Sequence, residues 1–153
     1  MNICLLDNSK TPYNHNSLDN ENIRGAERSL INLALKLNKL GQKFGIPYWD
    51  ADDVRRIYSD WEFTPQGRER QALRMRKLAE NDRISICGFV CPLLGHRRHF
   101  FPDKTIWMDT ISEGRFEDTN KIFEKPKSVD FHITEWNDKN HINIAHDIKE
   151  KYV

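Results

Sequence analysis

The sequence predicts a three-layer α/β fold, a mainly parallel sheet with helices on both faces. Three observations predict it. Short, largely apolar runs, such as NICLLD at 2–7 and RISICGFVC at 83–91, suit strands covered on both sides. Segments of helical periodicity lie between them, the clearest carrying Leu30, Leu33, Leu37 and Leu40. Strand and helix patterns alternate along the chain, as parallel crossover units require.

The elements follow in order. Residues 2–7 form the first strand. Residues 8–24, rich in Asn, Asp and Ser, form a loop long enough to imply a function. Residues 26–40 form an amphipathic helix that Gly41 stops. A second strand at 45–49 runs into the acidic stretch 50–53, where a helix carrying Val54, Ile57 and Tyr58 begins. Residues 62–66 read as a turn around Pro65. Residues 67–80 form a basic helix with Leu73, Met75, Leu78 and Ala79 inside. The strand at 83–91 ends at Pro92 and sets Cys87 and Cys91 on one face. A short helix at 93–101, a strand at 104–109, an irregular or partly helical stretch at 111–127, a strand at 129–134 and a helix at 141–152 complete the chain. The last helix uses Ile142, Ile144, Ala145 and Ile148 as its apolar positions.

A length of 153 residues suits one domain, 1–153. The net charge of +1, from 24 basic and 23 acidic side chains, argues against nucleic-acid and membrane partners. No apolar run approaches the roughly 18 residues of a membrane span. The N-terminus has no secretory pattern, so the expected compartment is the cytoplasm. Cys4, Cys87 and Cys91 read as buried thiols, since no further ligands follow at metal spacing.

In open parallel sheets ligands lie beyond the carboxyl ends of the strands. Asp50, Asp52, Asp53 and Arg55 fall there after the second strand. Phe89, Cys91 and Pro92 fall there after the third, and Asp109 and Thr110 after the fourth. Carboxylates at such a place hold Mg²⁺ or accept a hydroxyl proton. Arginines clamp phosphate or sulfate. The plainer readings stay beside these. Asp50 or Asp52 caps a helix, and the basic run from Arg68 to Lys77 is a solvated face, with Arg68 and Arg74 the better site candidates. His96 to His99 lie on a surface helix, and His132 is structural. His141 and His146, five apart, do not share a helical face. Trp49, Trp61 and Trp107 are core or pocket wall, and residues 115–120 form a substrate-side loop.

Several of these segments carry a resemblance. D-A-D-D-V-R at 50–55 resembles the D-G-D-N-x-R motif of adenylylsulfate (APS) kinases. Phe63-Thr64 with Arg68, Gln71 and Arg74 resembles that family's F-S-x-x-D-R-x-E-N-x-R-R segment. Gly88-Phe-Val-Cys-Pro92 with Arg97 is similar to S-F-I-S-P-x-x-x-x-R, and Trp107-Met-Asp-Thr110 to its V-D-T strand end. Asp118 and residues 120–123 resemble a shortened R-D-x-K-G-L-Y lid. The likeness runs from about residue 44 onward, in order. It implies a P-loop kinase fold and transfer of the γ-phosphoryl of ATP to the 3′-hydroxyl of APS, a step in sulfate assimilation. It implies Asp52 as the base and Asp50 at Mg²⁺ or substrate. Arg55, Arg68 and Gln71 would grip APS, with Phe89, Cys91 and Pro92 lining the substrate site. Asn120 or Lys121 would stand in for the lid lysine. It leaves a homodimer open.

The departures are specific. Ala51 replaces the motif's glycine, Gly67 its acidic residue, Arg70-Gln71 its Glu-Asn pair and Leu73 one arginine. No G-x-x-x-x-G-K-[ST] occurs in the sequence. Residues 1–42 instead resemble the start of a nucleotide-sugar glycosyltransferase, through R-G-A-E-R-S-L-I-N-L-A-L-K-L-N-K-L-G at 24–41. Arg24 and Arg28, near a helix start, are the candidates for attracting the phosphates of ATP. The expectation is therefore an APS-kinase-like protein whose transfer activity is impaired or lost for want of the P-loop. The alternatives are a non-catalytic nucleotide-binding module or gene-fusion remnant and, behind these, a glycosyltransferase fragment. ATP and Mg²⁺ are its cofactors if it is active.

Overall fold

The structure, a computed structural model, describes residues 1–7, 47–110, 112, 116–135 and 138–152. The expected loop at 8–24, the helix at 26–40, Arg24 and Arg28 lie outside the described residues.

Five strands form one parallel sheet: β1 (Asn2–Asp7), β2 (Tyr48–Asp50), β3 (Ser85–Gly88), β4 (Lys104–Met108) and β5 (Phe131–Ile133), in the order β2-β3-β1-β4-β5. The described helices are α1 (Ala51–Ile57), α2 (Pro65–Ala79), α3 (Leu94–Phe100), α4 (Glu117–Ile122) and α5 (Asp138–Tyr152).

Both sheet faces are buried, and the two-residue period of the strands sorts their side chains between them. Ile3, Ile86, Ile106, Met108 and Ile133 face one way, packed with Ile144 and Ile148 of α5. Cys4, Cys87 and Trp107 face the other way, against Val54 of α1, Ala72, Met75 and Ala79 of α2, and Phe100 of α3. This is the three-layer arrangement expected from the alternating pattern.

Several boundaries differ from expectation. The second strand, Tyr48–Asp50, runs one residue past the expected end at 49, because Asp50 both ends the strand and caps α1, and residues 45 and 46 lie outside the described residues. The turn assigned to 62–66 gives way at Pro65 to helix. Thr64 is the N-cap, its hydroxyl accepting from the Gly67 N–H at 3.2 Å, and Pro65 takes the first helical position. Leu73 is not inside α2. The buried positions are 67, 68, 71, 72, 75 and 79, and Leu73 lies off that stripe. The strand expected at 83–91 spans only Ser85–Gly88. Beyond it Cys91 adopts a left-handed conformation (φ 38°) just before Pro92, so the chain turns. Cys87 and Cys91 then reach the same core cluster through that turn rather than along one strand face.

Trp61 is half exposed and no part of the core, whereas Trp107 is buried. His96 and Arg97, expected on a surface helix, are buried as α3 packs down, with Arg98 and His99 outward. Of the stretch 111–127, Glu117–Ile122 is helical.

Candidate functional site

The carboxyl end of β2 is built by a cap. The N–H groups of Asp52 and Asp53 donate to Asp50 Oδ1 at 2.8 and 3.3 Å, so the sequence D-A-D-D starts α1 directly off the strand. Burial pushes the Asp50 carboxyl up to about 6. The donated N–H bonds oppose that rise, and the neighbouring Asp52 and Asp53 charges add to it. Asp52 itself is exposed. The Gln71 side chain of α2 reaches the same place, its Nε2 donating to Ala51 O at 3.0 Å, while its buried Oε1 has no partner among the described residues.

Beside this cap, residues 58–64 wrap over the start of α2. Arg55 holds the wrap from inside, donating to Asp60 O at 3.0 Å and Glu62 O at 3.2 Å. Asp60 anchors it from outside by accepting from Arg70 and from Arg74 (2.7 Å). These bonds, led by Arg70, hold the Asp60 carboxyl far below the usual range. The wrap comes so close to α2 that a Cβ at Gly67 would lie 2.4 Å from Glu62 O. The loop presents Phe63 half exposed, with the Arg55 guanidinium 4.5 Å and the Arg68 guanidinium 5.4 Å from the ring centroid. Burial lowers the Arg55 pKa, opposed by the charges of Asp60 and Asp52.

Arg68 connects this wrap to α4. Its Nε donates to Phe63 O at 2.8 Å, and its Nη2 to Thr119 Oγ1 at 2.9 Å and Asp118 Oδ2 at 3.1 Å. It also acts electrostatically on Cys91, as does Arg97. Arg97 donates to the carbonyls of Cys91 and Glu124, and its buried Nε has no partner among the described residues. Desolvation pushes the Cys91 thiol up to about 12 against the pull of both arginines. Pro92 is buried, and its carbonyl accepts from Glu124 N at 2.9 Å. Phe89 is also buried, edge-on to Phe100 at 5.2 Å.

Asp52, Arg55 and Arg68 thus lie within electrostatic reach of one another, Arg68 also lies within reach of the neutral Cys91 thiol, and Asp50 and Gln71 adjoin them through the cap. Phe89 sits in the core behind. Asn120 is half buried on α4, and Lys121 is exposed and paired with Glu117 at 2.7 Å. Phe63 and Arg97 fell within the motifs but were given no role at the site, and Asp60 was not singled out. An aromatic residue two positions before a helix-starting proline, flanked by Arg55 and Arg68, was the available signal. Among the described residues no group of three or more potential ligands is arranged to hold a metal ion.

No protein-family model matches the chain, and no curated protein matches it. Solved structures do. The Mycobacterium tuberculosis APS kinase CysC, determined with AMPPNP and APS, superposes with a TM-score of 0.66 at 14% identity, covering 98% of this chain and 97% of that one. The protein APE1195 gives a TM-score of 0.63 at 19% identity, covering 100% of this chain and 96% of that one. A cysteine-to-alanine mutant of the M. tuberculosis enzyme gives 0.55 at 15% identity, over 97% and 94% of the two chains. The chain therefore has the α/β fold of APS kinase structures across nearly its whole length, the P-loop kinase class of fold that its motifs implied.

Proposed function

We propose that the chain binds an adenylylated or sulfated nucleotide at the carboxyl edge of β2 and β3, with phosphoryl transfer from ATP impaired or lost. The observation that carries this reading is the half-exposed Phe63 ring bracketed by the guanidinium groups of the buried Arg55 and Arg68 beside the Asp50–Asp52 acids. An aromatic face between two fixed cations suits a planar base that carries an anionic group. Asp118, two-thirds exposed, occupies Arg68 as a carboxylate, and a sulfate or phosphate oxygen would displace it.

Within this reading Arg55 and Arg68 hold the anion and Gln71 Oε1 accepts from the ligand. Asp52 accepts the proton of an acceptor hydroxyl. The Asp50 carboxylate is the candidate partner of a divalent cation, since among the described residues its hydrogen-bond partners are backbone N–H groups. Such a cation supplies charge neutralisation for phosphates. The absence of a P-loop motif from the sequence supports loss of transfer, because phosphoryl transfer depends on positioning and charge stabilisation of the phosphates. Arg24 and Arg28 are the remaining candidates for that task, with Asn120 and Lys121 on the base side. The second reading, an active kinase, predicts Mg·ATP binding and turnover.

Calorimetric titration with APS, and separately with Mg·ATP, tests the proposal. It predicts APS binding that Arg68→Ala weakens, and phosphoryl transfer far below that of a P-loop kinase. No APS binding at millimolar concentration overturns it.

A further inference from the structure

We propose that Trp107, His132 and Asp109 form a stacking site for an amino-substituted heteroaromatic ring, the class that includes adenine and cytosine. The choice of a nucleobase rests on the nucleotide-binding reading above.

Trp107 and His132 are register partners on β4 and β5. Their rings lie parallel, at 0° with centroids 4.4 Å apart. His132 cannot swing away, because its Nε2 is 3.0 Å from Asp109 Oδ2. Asp109 is itself tied to β5, its N–H donating to Ile133 O at 2.8 Å. The sheet ladder therefore fixes all three groups.

Two consequences follow for chemistry. In the neutral imidazole, donation from Nε2 to the carboxylate leaves Nδ1 as an acceptor. The His132 side chain is 41% exposed although Trp107 covers one ring face, so the exposed area belongs to the other face and the ring edge. Among the described residues neither Nδ1 nor the second Asp109 oxygen has a hydrogen-bond partner. A π-face flanked by acceptors without a partner among the described residues matches a flat ring bearing an exocyclic amino donor. The Asp109 charge disfavours a phosphate at the same spot.

The test is titration of the full chain with adenosine and with inosine, followed by the His132 Cε1–H proton resonance and by tryptophan fluorescence. His132→Gln assigns the resonance. Adenosine is expected to move it upfield saturably, inosine to bind more weakly, and His132→Ala to weaken adenosine about tenfold or more. A resonance that stays still at saturating fluorescence change, or equal affinity in His132→Ala with unchanged circular dichroism, overturns the site. So does a resonance unmoved by millimolar adenosine with no fluorescence change. APS binding with the resonance unmoved removes the stacking site and keeps the proposed function. Adenosine binding here without APS binding does the reverse.

Discussion

Replacing Asp50 with Asn separates the cost of its buried charge from the value of its cap. The Asp50 carboxyl is pushed up to about 6, chiefly by burial, from an ordinary value of 3.8. A raised acid binds a proton more tightly in the folded chain than in the unfolded one. Its contribution is therefore fully present below pH 3.8 and is lost as pH rises through about 6. The shift corresponds to about 3 kcal/mol at most, and about 2 kcal/mol once the partial solvent contact of the residue is allowed for. Asn caps a helix as well as Asp does, so Asp50→Asn keeps the bonds from Asp52 and Asp53 and removes the charge. The variant should match wild type near pH 4 and exceed it at pH 7.5 by about 2 kcal/mol, or roughly 4–8 °C in Tm for a chain of this size. Urea and thermal unfolding across pH 4 to 7.5 measure this. Mg²⁺ at millimolar concentration should raise the wild-type Tm at pH 7.5 and leave the variant unchanged. A difference between the two proteins that does not depend on pH refutes the desolvation argument.

Other expectations follow from the same geometry. Gly67→Ala places a Cβ 2.4 Å from the Glu62 carbonyl and should cost about 2 kcal/mol in urea unfolding, since backbone must move. Gly88→Ala meets the Tyr48 hydroxyl at 2.5 Å. Its smaller cost should fall further when Tyr48→Phe is added, and an unchanged cost in the double variant contradicts the contact. Arg68→Ala should destabilise by about 2–3 kcal/mol, because it strips donors from Phe63 O and Thr119. Asp118→Asn should cost under about 0.5 kcal/mol, its carboxylate being mostly exposed. Burial pushes the Cys87 and Cys91 thiols up to about 12 and raises Cys4 as well. Native protein at pH 8 should therefore leave all three unreacted with a thiol reagent until denaturant is added.

The alternation of apolar runs made the sheet legible in the sequence, since strands buried on both faces leave no polar gap to misread. Residues 2–7 and 104–109 came out nearly as observed for that reason. Boundaries set by single side chains were harder. Asp50 serves strand end and cap at once. Thr64-Pro65 starts a helix where proline alone suggests a turn. Cys91 takes a left-handed turn that no pattern marks. At the site, ordered motifs located Arg55, Arg68 and Gln71. They could not show that Arg55 and Arg68 bind backbone carbonyls, because those partners are contributed by loop geometry and not by residue type. His96 and Arg97 looked like surface charge because helix α3 is short and polar, and only its packing buries them.

Calorimetric titration of the purified chain with APS, with Arg68→Ala alongside, tests the central claim most directly. Saturable binding to wild type, weakened about tenfold or more in the variant, is the predicted result. Absence of APS binding by wild type at millimolar concentration would contradict the account.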